Sequence, residues 1–133
     1  MPDSTRYQAW FGKVDEDLQT ILLLLEGKSW IPWSVVCFHA QQAAEKSLKG
    51  FLVFHGQLPE QTHNLIFLLS NCTQIEPSLS SLRDDCRTLT PQAFISRYPN
   101  DLMSADEAEA RTMVAACGKI RSAILELLPA ENP

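Results

Sequence analysis

The stretch Phe38-His39-Ala40-Gln41-Gln42-Ala43-Ala44-Glu45-Lys46-Ser47-Leu48-Lys49 decides the fold. Pro32 stands ahead of it, suited to an early helical position where its missing N–H costs nothing, and no further proline or glycine interrupts the run until Gly50. Stepping ~100° per residue puts Val36, Ala40, Ala43, Ala44, Ser47 and Phe51 on one face of a long helix. Alanine, serine and Gly50 are small enough there to let another helix approach closely, so this face is core. The opposite face carries Gln42, Glu45, Lys46 and Lys49 at its centre and Val35, Phe38 and Val53 at its ends. That polar centre is either a solvated surface with a Glu45–Lys49 pair, of the kind worth only ~0.3–0.5 kcal/mol, or the floor of a site.

Upstream, Tyr7, Trp10, Phe11, Val14, Leu18, Ile21, Leu22 and Leu25 repeat at helical offsets, predicting an amphipathic first helix over roughly residues 4–26. Asp15, Glu16, Asp17 and Gln19 are expected on its other side, and Gly27 before Lys28 as a left-handed terminator. Downstream, residues 56–59 read as a turn, and Thr62 is placed to cap a short helix through Leu65, Leu68 and Leu69. Pro77 opens a fourth helix with an edge of Leu79, Leu82, Cys86 and Leu89, which Pro91 stops. Residues 90–103 read as irregular. Ser104-Ala105-Asp106-Glu107 has the pattern of a capping box, starting a last long helix buried along Ala110, Met113, Cys117, Ile120, Ile124 and Leu127. No segment shows period-two alternation, so the expected fold is all-α, an up-down four-helix bundle with one additional short helix.

The chain has 133 residues, the size of one domain, which we take as 1–133. With 45% hydrophobic and 20% charged residues it can build a core, and a net charge of −5 argues against broad electrostatic binding to nucleic acid or an anionic membrane. Cys37, Cys72, Cys86 and Cys117 lack Cys-x-x-Cys spacing, and His39 and His55 lie too far apart on different helix faces to share an ion, so no metal or cofactor is expected. The first residues lack a charged-then-apolar leader and no stretch approaches the ~18 apolar residues of a membrane span, so a cytoplasmic location is expected.

Two further segments carry chemistry. In Thr62-His63-Asn64-Leu65 the imidazole of His63 is open to acid–base work, or else packs against a neighbouring helix or assists the cap. In Ser96-Arg97-Tyr98-Pro99-Asn100-Asp101 the planar fork of Arg97 suits a phosphate or carboxylate, or else the segment is a turn with Arg97 paired to an acidic neighbour.

Taken in order, Phe38 to Lys49, Thr62 to Leu65 and Arg97 to Asp101 resemble the HEPN domain pattern of prokaryotic proteins. The resemblance implies a bundle of four or five helices, commonly a homodimer, often encoded beside a minimal nucleotidyltransferase and associated with nucleotide or RNA chemistry. On that basis Val35, Phe38 and Val53 would meet a partner subunit, and Lys46, Lys49, Arg97, Gln42 and His63 would hold a nucleotide phosphate. Many members are metal-independent ribonucleases, some of them toxins of toxin–antitoxin pairs, with an arginine and a following histidine separated by four to six intervening residues. Counting from Arg97, Leu102, Met103 and Ser104 occupy the positions where that histidine should fall. The expectation is therefore an accessory binding protein. The alternatives are a ribonuclease in which Arg97 and His63 act together, and a purely structural dimerisation module.

Overall fold

The computed structural model describes residues 6–95 and 105–130. Among them six α-helices and one 3-10 helix succeed one another without a strand: α1 (Tyr7–Leu25), α2 (Trp33–Phe54), α3 (Leu65–Ile75), the 3-10 helix (Pro77–Leu82), α4 (Arg83–Leu89), α5 (Gln92–Ile95) and α6 (Glu107–Glu126). The all-helical bundle expected from the periodicity is the observed fold. No described helix is long and apolar enough to cross a membrane.

The second helix is the hub. Thirteen of its 22 residues are buried, and α1, α3, α4, α5 and α6 all pack on it. Pro32 stands just before its first turn, and its carbonyl accepts from the Val35 and Val36 amides at 3.0 and 3.1 Å. All six residues of the expected core face, Val36, Ala40, Ala43, Ala44, Ser47 and Phe51, are buried. Gly50 lets α1 cross closely, because a Cβ there would lie 2.7 Å from Cε2 of Phe11. At its C-terminal end Gly56 takes φ +78° and returns its amide to the Val53 carbonyl at 2.9 Å, a left-handed stop that suits a residue without Cβ.

Helix α1 runs antiparallel to α2, since Phe11 meets Gly50 while Asp17 meets His39 and Lys46. Its buried residues are Phe11, Val14, Asp17 and Ile21. Asp17 therefore lies on the buried stripe and not on the outer side with Asp15 and Glu16: it is three residues after Val14 and four before Ile21, and the helical period outweighs its charge. Leu22, expected on the stripe, is exposed. Gly27 is not left-handed; it is a point of close approach, where a Cβ would fall 2.5 Å from the Trp30 carbonyl oxygen.

The helix starts also differ from expectation. Asn64, not Thr62, caps α3, its Oδ1 accepting from the Ile66 and Phe67 amides at 3.0 and 3.2 Å, while Thr62 Oγ1 takes the Asn64 amide in a local turn. Asp106 caps α6 by accepting from the Glu109 amide at 2.9 Å; Ser104 lies outside the described residues. The segment from Pro77 begins as a 3-10 helix before turning α-helical at Arg83, and part of the segment expected to be irregular forms α5. Near the end of α6, Leu128 is buried where Leu127 was expected.

Candidate functional site

Two carboxylates are buried along the polar side of α2, and each holds one lysine and one histidine. The first is Glu45, whose side chain is 5% exposed. Its Oε2 accepts from Lys49 Nζ at 3.0 Å, while Oε1 accepts from Gln41 Nε2 at 3.1 Å and meets His63 Nδ1 at 2.7 Å. Gln41 spends its amide a second time on the His63 carbonyl at 3.2 Å, and receives Gln42 Nε2 on its own oxygen at 2.7 Å. The Asn64 cap fixes the chain entering α3, which brings His63 over this carboxylate.

The second carboxylate, Asp17, comes from α1. Its Oδ2 accepts from Lys46 Nζ at 2.7 Å and its Oδ1 meets His39 Nδ1 at 2.9 Å. Asp17 is 8% exposed, whereas Lys46 and His39 retain 23% and 24% of their side-chain surface. Lys49 retains 11%. The Asp17 cluster therefore opens to solvent through its cation and its imidazole, while the Glu45 cluster buries its cation and opens through His63.

Both pairings satisfy the rule that a buried charge must find a partner. A carboxylate paired to an ammonium can only accept, so in each cluster Nδ1 is the donor and carries the proton. The two lysines and the two carboxylates sum to zero charge. The lysines are thus held in place by the same groups that cancel their charge.

The polar centre of α2 is consequently only partly solvated, with Glu45 and Lys49 buried and Gln42 and Lys46 half-buried. The Glu45–Lys49 pair exists, but it is internal. Of the residues expected to hold a phosphate, the structure places Gln42, Lys46, Lys49 and His63 along one band formed by α2 and the entry to α3; Arg97 lies outside the described residues. Val35, Phe38 and Val53 are half-buried. His55, at the end of α2, packs its ring against Phe51 and Phe54. Asp17 and His39 are the members that sequence reasoning missed; the position of Asp17 between Val14 and Ile21 was the available signal.

No group of three or more histidine, cysteine, aspartate or glutamate side chains among the described residues is arranged for a metal ion. The four cysteines are free and buried. Burial pushes the Cys37 thiol up to about 11, helped by the negative charges of Glu109 and Asp106, and pushes those of Cys72, Cys86 and Cys117 up to about 12. They are packing groups and not nucleophiles at neutral pH.

The fold and the buried carboxylate clusters define an all-helical domain built around one central polar-banded helix. The HEPN domain family model matches residues 7–128, and the chain belongs to that family. Its fold is shared with TT1696 from Thermus thermophilus, with a TM-score of 0.78 and 22% identity over 96% of this chain and 100% of that one. It is also shared with ST0689, an archaeal HEPN homologue, with a TM-score of 0.68 and 24% identity over 92% of this chain and 97% of that one. No curated protein matches the chain.

Proposed function

We propose that this chain is a single HEPN binding domain that works as a homodimer, partners a nucleotidyltransferase and holds a nucleotide phosphate on the polar band of α2. The observation that supports this reading is Lys46: it is fixed at 2.7 Å from a buried carboxylate, yet keeps part of its surface and two of its three N–H donors for a ligand. Each charge-assisted hydrogen bond to a phosphate contributes ~1.5–3 kcal/mol. Two, one from Lys46 and one from Arg97, suffice for modest affinity. Gln42 and His63 flank the approach, and the buried Lys49 braces Glu45 more than it reaches a ligand. Half-buried Val35, Phe38 and Val53 supply an apolar margin suited to a second subunit.

Calorimetry with ATP, GTP and a short RNA tests the reading. Binding weakened by Lys46→Ala and by Arg97→Ala is expected; binding unchanged in both excludes the proposed residues, and a monomer on sedimentation excludes the homodimer.

One observation favours a second reading, ribonuclease activity. His63 is oriented by a buried carboxylate at 2.7 Å through Nδ1, the arrangement by which a carboxylate sets an imidazole for proton transfer. Incubating the protein with labelled RNA in EDTA separates the two readings, since cleavage that persists with the metal removed and vanishes in His63→Ala would make the protein an enzyme.

A further inference from the structure

Asp17 lies outside every motif on which the phosphate site was built, and His39, inside the Phe38 to Lys49 stretch, has no part in that site as proposed, yet the Asp17 carboxylate joins His39 to its most accessible lysine. We propose that Asp17 is a positioning residue of that site and that His39 is its specificity-determining contact, selecting a ligand with a hydroxyl beside its phosphate. This rests on the reading of Lys46 as a phosphate ligand.

The argument is one of donors and acceptors. Asp17 Oδ2 takes one proton of the Lys46 ammonium at 2.7 Å and Oδ1 takes Nδ1–H of His39 at 2.9 Å. One carboxylate, itself nearly buried, thus sets the direction of both side chains from the α1 side. Lys46 then offers only donors, and anionic oxygen is their natural partner. His39 in its uncharged form offers the reverse: with Nδ1–H given to Asp17, Nε2 presents a lone pair, and among the described residues nothing bonds to it. A bare phosphate dianion would satisfy the ammonium and repel the lone pair. A ligand with an O–H next to its phosphate satisfies both, as the 2′-hydroxyl beside a 3′-phosphate does in a ribonucleotide. Its 2′-deoxy counterpart leaves the imidazole acceptor facing nothing.

Calorimetry with adenosine 3′-phosphate, 2′-deoxyadenosine 3′-phosphate and inorganic phosphate tests the assignment. The expected result is about tenfold tighter binding of the ribo form than of the deoxy form, the size of one net hydrogen bond. His39→Phe should reduce that ratio to near one while the deoxy form still binds, and Asp17→Asn should weaken both nucleotides and narrow the ratio. The ratio is the informative quantity, because a variant that is partly unfolded loses both affinities equally. His39→Gln, at a side chain that is a quarter exposed, covers the case in which Asp17→Asn fails to fold. Equal affinity for the two nucleotides in the unmodified protein, with Lys46→Ala still weakening both, would overturn the role of His39 and leave the phosphate site standing. Binding of neither nucleotide nor phosphate would overturn both.

Discussion

Glu45 and Asp17 perform the same task, holding one lysine and one histidine against α2, but they do it at different ranges along the chain. Lys49 and Gln41 lie one helical turn either side of Glu45, and only His63 comes from elsewhere. Asp17 reaches across from α1 to partners 22 and 29 residues away. The local cluster buries its cation, behaves as a brace and opens through His63; the long-range one keeps part of both its cation and its imidazole exposed. Similar chemistry therefore serves packing in one place and accessibility in the other, and what divides them is how far each lysine is withdrawn from water.

Removing each carboxylate tests that division. Glu45→Ala strands a buried ammonium and should cost about 3–5 kcal/mol, read as a shift in urea midpoint at constant slope. Asp17→Ala strands groups that water still reaches, and about 1–3 kcal/mol is expected. Equal losses in the two variants would erase the distinction. Gly50→Ala probes the α1–α2 seam that carries Asp17. Its new Cβ, 2.7 Å from the Phe11 ring, should cost about 1–3 kcal/mol in overpacking, partly offset by the ~1 kcal/mol that alanine gains over glycine in a helix. The net loss, about 1 kcal/mol by thermal melting, should be accompanied by weaker phosphate binding, because α1 is displaced with its carboxylate. Smallest is Asn64→Ala at the start of α3, with about 0.5–1 kcal/mol expected for a lost cap. Thr62→Ala should cost less than that, and the reverse order would move the cap back to Thr62.

Much of the bundle was legible because its signals are local. The spacing of Val36, Ala40, Ala43, Ala44, Ser47 and Phe51 predicted the core face of α2, and Gly56 fell in the expected turn. Expectation and structure part where a residue's chemistry points one way and its place in the helical period another. Asp17 looked like a surface charge, and only its place between Val14 and Ile21 said otherwise. Thr62 and Asn64 are both good caps, and a short turn between them decided which one served. The polar centre of α2 could be recognised as a band, but its burial could not, because that depends on α1 and the entry to α3 closing over it. The partnership of His39 with Asp17 had no signature along the chain at all.

The position of α2 as the hub has a consequence for how the molecule breathes. An element wrapped by five others can release its amides only when its wrapping leaves, so native-state hydrogen exchange should be slowest across 43–52 and should report the global opening free energy there. The amides of α1, which packs chiefly on that one helix, should exchange through smaller openings, so the Asp17 edge of the band can loosen while the Glu45 edge stays closed.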